Sequence, residues 1–252
     1  MVLGDLRHVL LTHVHLDHAG ATGHIAARVP GLRVHVHPDG APHLADPERL
    51  VASTRRTFGD AHDRLWGEVL PIPRDRIRPW EARRRGPIRT VRALPTPGHI
   101  PHHLAYLDES SGTLYAGDSM GIILTPSAPT HPPTPPPAVD LEAWWRTLDA
   151  LEGIRPERVG VTHFGFHRRF EERRTELAER LRALESRVRS ALEKGNEGDA
   201  QDYERQVREE FGRYLPAEDV DRYFDVFPAA TDWAGVRRYL ERTLRRKEQE
   251  EA

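Results

Sequence analysis

The ten residues LTHVHLDHAG, at positions 11–20, constrain this chain more than any other stretch. Four side chains able to bind a metal, His13, His15, Asp17 and His18, fall within six positions, directly after the apolar run Val9, Leu10 and Leu11. Such a run reads as a short buried strand, and a loop at a strand's end is where α/β proteins build their sites. In an extended segment alternate side chains point the same way, so His13 and His15 can share one ion. Asp17 and His18 lie on the following turn and can face a second. Imidazole with carboxylate suits zinc, and also iron or manganese.

Further strand signals come from LRVHVH, PIRTVRAL, HLAYLD and TLYAGD, with the turn DESSG between the last two. Helices are expected over HAGATGHIAARVPG, ended by Pro30 and Gly31, and across residues 47–69. The segment 125–140 holds seven prolines and must run as an extended loop, either a stiff connection or a pocket rim. Asp140 is placed to cap the helix LEAWWRTLDALEG, with Trp144 or Trp145 buried, and RVGVTHFG is one more strand ending in a histidine. After residue 168 the chain becomes rich in Arg and Glu, and Leu177, Leu181, Leu184, Val188 and Leu192 recur at helical spacing. GNEGDA breaks that helix and two further amphipathic helices are expected, the last carrying Trp233, Val236, Leu240 and Leu244. The expected organisation is a core over residues 1–167 and a helical C-terminal extension over 168–252.

Composition excludes several chemistries. Cysteine is absent, which removes disulfides, thiolate nucleophiles, iron–sulfur clusters and thiolate zinc sites. The 37 basic and 39 acidic residues leave a formal charge of −2, which gives no general attraction to nucleic acid or anionic membrane. No secretory signal pattern or membrane-spanning run is apparent, so a cytoplasmic location is expected.

THVHLDHAG resembles the His-x-His-x-Asp-His signature of the metallo-β-lactamase-fold hydrolases, and three later segments resemble that family's pattern in order. TPGHIPHHLAY resembles the segment that supplies a third histidine to the first metal, which implies His99. LYAGDSM resembles the strand end whose aspartate bridges both metals, which implies Asp118. VTHFG resembles the last ligand segment, which implies His163 on the second metal. The resemblance covers residues 5 to about 165. It implies an αββα sandwich holding two divalent ions, zinc ahead of iron or manganese. One ion would sit among His13, His15 and His99, the other among Asp17, His18 and His163. Asp17 would orient the attacking water and shuttle a proton. The branch it resembles, that of glyoxalase II and the lactonases, implies a small ester, thioester or lactone as substrate. The aspartate at position 118 argues against a true β-lactamase, and His15 stands where the flavin-linked diiron members carry glutamate. Two alternatives stay open: a mononuclear iron oxidoreductase of the persulfide dioxygenase kind, and a non-catalytic member of the fold.

Family members place several strands and a helix before the histidine loop, whereas twelve residues precede His13 here. The implied sandwich lacks part of its first half-sheet. A late start, a natural fragment, or cover by the C-terminal helices or a second copy of the chain would each account for it. The expected partners are a small-molecule substrate and that second copy, with neither nucleic acid nor membrane. Among the remaining histidines, His35 and His37 lack a following acid or histidine and are not expected to bind metal. His103 is expected to support the site, His102 to face substrate or solvent, and His8, His24, His43, His62 and His131 to be surface or packing residues. His167 follows the last ligand and keeps a minor claim on a direct role.

Overall fold

The computed structural model describes residues 2–81, 86, 88–163 and 165–251. They form two compact units, Met1–Pro95 with His102–Ser110, and Thr96–Pro101 with Ser111–Ala252. The first runs β1 (His8–Leu10), α1 (Leu16–Ala19), α2 (Thr22–Arg28), β2 (Arg33–Val36), α3 (Ala41–Ala45), α4 (Glu48–Phe58), α5 (His62–Trp66), β3 (Ile77–Pro79), β4 (Val91–Pro95) and β5 (Leu104–Asp108).

β1, β2 and β3 make a parallel sheet in that order, with Leu10 opposite His35 and Val34 opposite Ile77. Three of the four β2 residues are buried, as expected of a parallel strand covered on both faces. Leu11, Val14, Ala26, Leu32, Val34, Val36, Leu44 and Ile72 join in one apolar cluster, so the segment carrying the histidines is anchored through Leu11 and Val14. β4 and β5 pair antiparallel, and the Tyr106 hydroxyl donates to the Leu11 carbonyl at 2.8 Å, which ties β5 to the start of the histidine loop. The expected strand PIRTVRAL begins only at Val91, because Ile88–Thr90 form a turn closed by a Val91 N–H to Ile88 carbonyl bond; Pro87 lies outside the described residues. The single helix expected over 18–31 is two, α1 and α2, interrupted at Gly20 and Ala21.

The second unit runs β6 (Thr113–Gly117), α6 (Leu141–Glu152), β7 (Arg158–Val161), β8 (Phe166–His167), α7 (Phe170–Lys194), α8 (Asp199–Phe211), α9 (Ala217–Phe224) and α10 (Ala229–Glu251). β6 and β7 are parallel, and β8 returns antiparallel along β7. Asp140 caps α6 by accepting from the Ala143 N–H at 2.9 Å, and Trp144 is fully buried, as the sequence predicts. α7 buries Leu177, Leu181, Leu184 and Val188 on one face. Three helices follow rather than two. Pro216 and Pro228 lack the N–H that a continuing helix needs, and α9 and α10 each begin just after one of them. α8 and α9 bury Phe211, Val220 and Phe224 against Ile122, Leu124 and Ala128 of the loop after β6. Arg187 grips Asp199 through two bonds of 2.7 and 2.8 Å, and the Trp233 indole donates to the same carboxylate at 2.8 Å. No helix among the described residues is long and apolar enough to cross a membrane.

Candidate metal centre

In the first unit the chain leaves β1 and sets His13, His15, Asp17 and His18 around the start of α1. His13 is fully buried, and its Nε2 lies 3.0 Å from His15 Nδ1 with the two rings edge to face. On its other side, His13 Nδ1 meets the Thr12 hydroxyl at 3.1 Å. The tautomer with its proton on Nδ1 donates to Thr12 and leaves Nε2 as a bare donor pointing towards His15. The His18 ring centroid is 4.0 Å from that of His13, and His18 Nε2 lies 3.2 Å from Asp17 Oδ2. His103, also fully buried, stacks on His13 with centroids 4.9 Å apart, so it supports the ring as expected. His102 is buried beside His37 and His43, which overturns the solvent-facing one of its two expected positions.

In the second unit His99, Asp118 and His163 each close a strand or loop. α6 holds the first two from one face, through positions three and four apart. The Asp140 N–H donates to the Gly98 carbonyl at 2.9 Å, the Thr147 hydroxyl to the Pro97 carbonyl at 2.6 Å, and the Trp144 indole to the Ser119 carbonyl at 2.9 Å. Gly98 has φ +146°, and a Cβ there would meet the Trp144 Cβ at 2.5 Å, so only glycine admits this approach. His163 follows β7 with φ 60°, a left-handed conformation that costs a residue with a Cβ and gathers at functional sites. Its ring stands edge-on to Tyr223 and Phe227, with centroids 5.8 and 5.4 Å away.

His99 and Asp118 are 2% and 3% exposed, and His99 Nε2 lies 3.3 Å from Asp118 Oδ2. His99 Nδ1 lies 2.8 Å from the Pro133 carbonyl. A carbonyl only accepts, so Nδ1 carries a proton and the ring turns Nε2 towards Asp118. An imidazole nitrogen and a carboxylate oxygen thus face each other in a buried place, and both are atom types that bind a divalent cation. The donor chemistry therefore fits a divalent ion. Pro133 was not among the residues the sequence singled out. Its signal is present nonetheless: a proline-rich run has few N–H groups, so its carbonyls are left to accept from elsewhere. His167, on β8, is buried opposite Val159. His131, expected at the surface or in packing, is buried against the Asp232 carboxylate at 2.8 Å.

A model of the metallo-beta-lactamase superfamily matches residues 3–163, well over half of the chain and a span that contains all seven residues of the implied ligand set. The chain belongs to the metallo-beta-lactamase superfamily. It is 27% identical over 169 residues to the metallo-beta-lactamase fold-containing protein ST1585 of Sulfurisphaera tokodaii, a match covering 65% of this chain and 62% of that relative. The chain thus spans under two thirds of that relative's length. It is 26% identical over 205 residues to the probable metallo-hydrolase YflN of Bacillus subtilis, covering 71% of this chain and 73% of the relative. Among solved structures, the metallo-beta-lactamase family protein TTHA1429 of Thermus thermophilus aligns with a TM-score of 0.66 at 22% identity, covering 98% of this chain and 77% of that one. The superfamily fold therefore accounts for the mixed α/β units, and the helices after residue 168 fall within the aligned share of the chain.

Proposed function

We propose that the chain is a dinuclear metal-dependent hydrolase acting on a small ester, thioester or lactone. By the sequence motifs, one ion would take His13, His15 and His99, and the other Asp17, His18 and His163. Asp118, with two carboxylate oxygens, would serve both ions. The observation that carries the reading is the buried His99, with Nδ1 held by the Pro133 carbonyl and Nε2 3.3 Å from Asp118 Oδ2. Zinc is the first candidate for both ions, since imidazole and carboxylate without thiolate suit it, and the same set accepts iron or manganese. Ions bound there supply Lewis acidity, which polarises a carbonyl and brings the pKa of a coordinated water down towards neutrality.

The protein's own contribution is placement and proton handling. Asp17 accepts a hydrogen bond from the attacking water and holds the released proton at Oδ2, beside His18 Nε2. Burial of His13, His99 and Asp118 keeps the site in a low-dielectric setting where its charges act strongly. Tyr223 and Phe227 give the neighbourhood of His163 an aromatic surface, which suits the apolar part of an acyl compound. The name of the Bacillus relative, a probable metallo-hydrolase, supports the same reaction class.

The test is a panel of chromogenic esters, thioesters and lactones offered to the zinc-loaded protein and to Asp17→Asn. We expect turnover of at least one class, with kcat in the variant lower by about 10²–10⁴-fold and more than its metal content falls. A metal-replete protein inactive on every class, or a variant as active as wild type, contradicts the proposal.

A further inference from the structure

We propose that Asp232, in the first turn of the C-terminal helix α10, is a positioning residue for His99, acting through the Pro133 carbonyl. The inference rests on His99 being a metal ligand. The segment from His131 to Pro135 has only two backbone donors, because Pro132, Pro133 and Pro135 have none. The His131 N–H donates to the Ile122 carbonyl at 2.8 Å. The Thr134 N–H donates to Asp232 Oδ1 at 2.6 Å, and the Thr134 hydroxyl donates to the Asp232 backbone carbonyl at 3.0 Å. The other carboxylate oxygen, Oδ2, takes the His131 ring at 2.8 Å. One buried aspartate thus grips the chain on both sides of Pro133, at His131 and at Thr134.

The helix backbone closes on the same segment. A Cβ on Gly235 would lie 1.7 Å from the Thr134 carbonyl oxygen, so glycine is required for this contact. Asp232 and Gly235 are three residues apart and share a face of α10, and together they set where residues 131–135 run. The Pro133 carbonyl within that run receives the His99 Nδ1 proton at 2.8 Å. A ligand's outer hydrogen bond fixes its tautomer and its aim, so α10 governs whether His99 offers Nε2 to an ion. The C-terminal helix is therefore a working part of the metal centre, besides packing against the other helices.

The experiment measures zinc affinity by competition with a chromogenic chelator in wild type, Asp232→Ala, Asp232→Asn and His99→Ala. The His99 tautomer is read alongside it by long-range proton–nitrogen NMR of the metal-free proteins. Wild type is expected to show the Nδ1-protonated form. Asp232→Ala is expected to lose that single form and to bind zinc about 10–100-fold more weakly. Asp232→Asn keeps an oxygen for the Thr134 N–H and should recover most of the affinity. Should Asp232→Ala fail to fold, Thr134→Val, which removes only the hydroxyl bond, decides: weaker zinc binding in the same direction supports the role. Wild-type affinity and an unchanged tautomer in the folded Asp232 or Thr134 variant overturn it while leaving the metal centre intact. Equal zinc binding by wild type and His99→Ala overturns the metal reading itself, and this inference with it.

Discussion

Two buried histidines of this chain are held in different ways. His99 directs its Nδ1 proton to the Pro133 carbonyl. His35 is arranged to stay neutral: burial brings its pKa from 6.5 down to about 4, with the His8 ring and the Arg78 and Arg33 charges acting the same way. Above pH 6.5 this has no effect on stability, because His35 is neutral in both folded and unfolded states. Below it the unfolded chain takes up a proton that the native protein refuses, so stability falls as pH drops from about 6.5 towards 4. At pH 5 the loss attributable to this group is about 2 kcal/mol. Urea denaturation of chelated wild type and His35→Gln at pH 7 and pH 5 checks this: the variant should lose less stability on acidification, and equal losses would contradict the assignment. At this scale the sequence was most informative where donors crowd together. The cluster at positions 13–18 is legible because four donors in six residues have few other reasons to occur together. The partners of Pro133 and Asp232 were not, since His99 and the 131–134 segment lie 34 and about 100 positions away from them.

Among the elements, α6 does the most to place the second unit's candidate ligands. Its Asp140, Trp144 and Thr147 hold the segments of His99 and Asp118 from one face. Gly98→Ala would drive a Cβ against Trp144 at a φ that alanine avoids. We expect a destabilisation of about 1–3 kcal/mol, seen as a lower denaturation midpoint, together with weaker metal retention. A variant with an unchanged midpoint would show that the loop can move off α6 freely. α6 itself was readable, because Asp140 and the apolar periodicity announce it. β3 and β8 were not, being three and two residues long with no alternating pattern to detect. The count of C-terminal helices was misread for a related reason. α8 and α9 end in turns over residues 212–215 and 225–227, ahead of Pro216 and Pro228, and apolar spacing alone does not mark those breaks.

For the whole molecule, the family model over residues 3–163 and the fold match over 98% of the chain agree with a mixed α/β architecture followed by helices. That class was legible because four motif segments occur in the superfamily's order, each closing a strand or loop. What composition and spacing could not reveal is the work of the helices, which bury Phe211 and Phe224 and reach back through Asp232 to the proline-rich loop. The central proposal is that the seven histidines and aspartates of the sequence motifs hold two divalent ions. Its most direct test is the metal content of the gently purified chain by inductively coupled plasma mass spectrometry, beside Asp118→Ala. The account predicts about two divalent ions per chain in wild type and clearly fewer in the variant. A wild-type chain holding no metal, or a single iron accompanied by oxygen consumption, would contradict it.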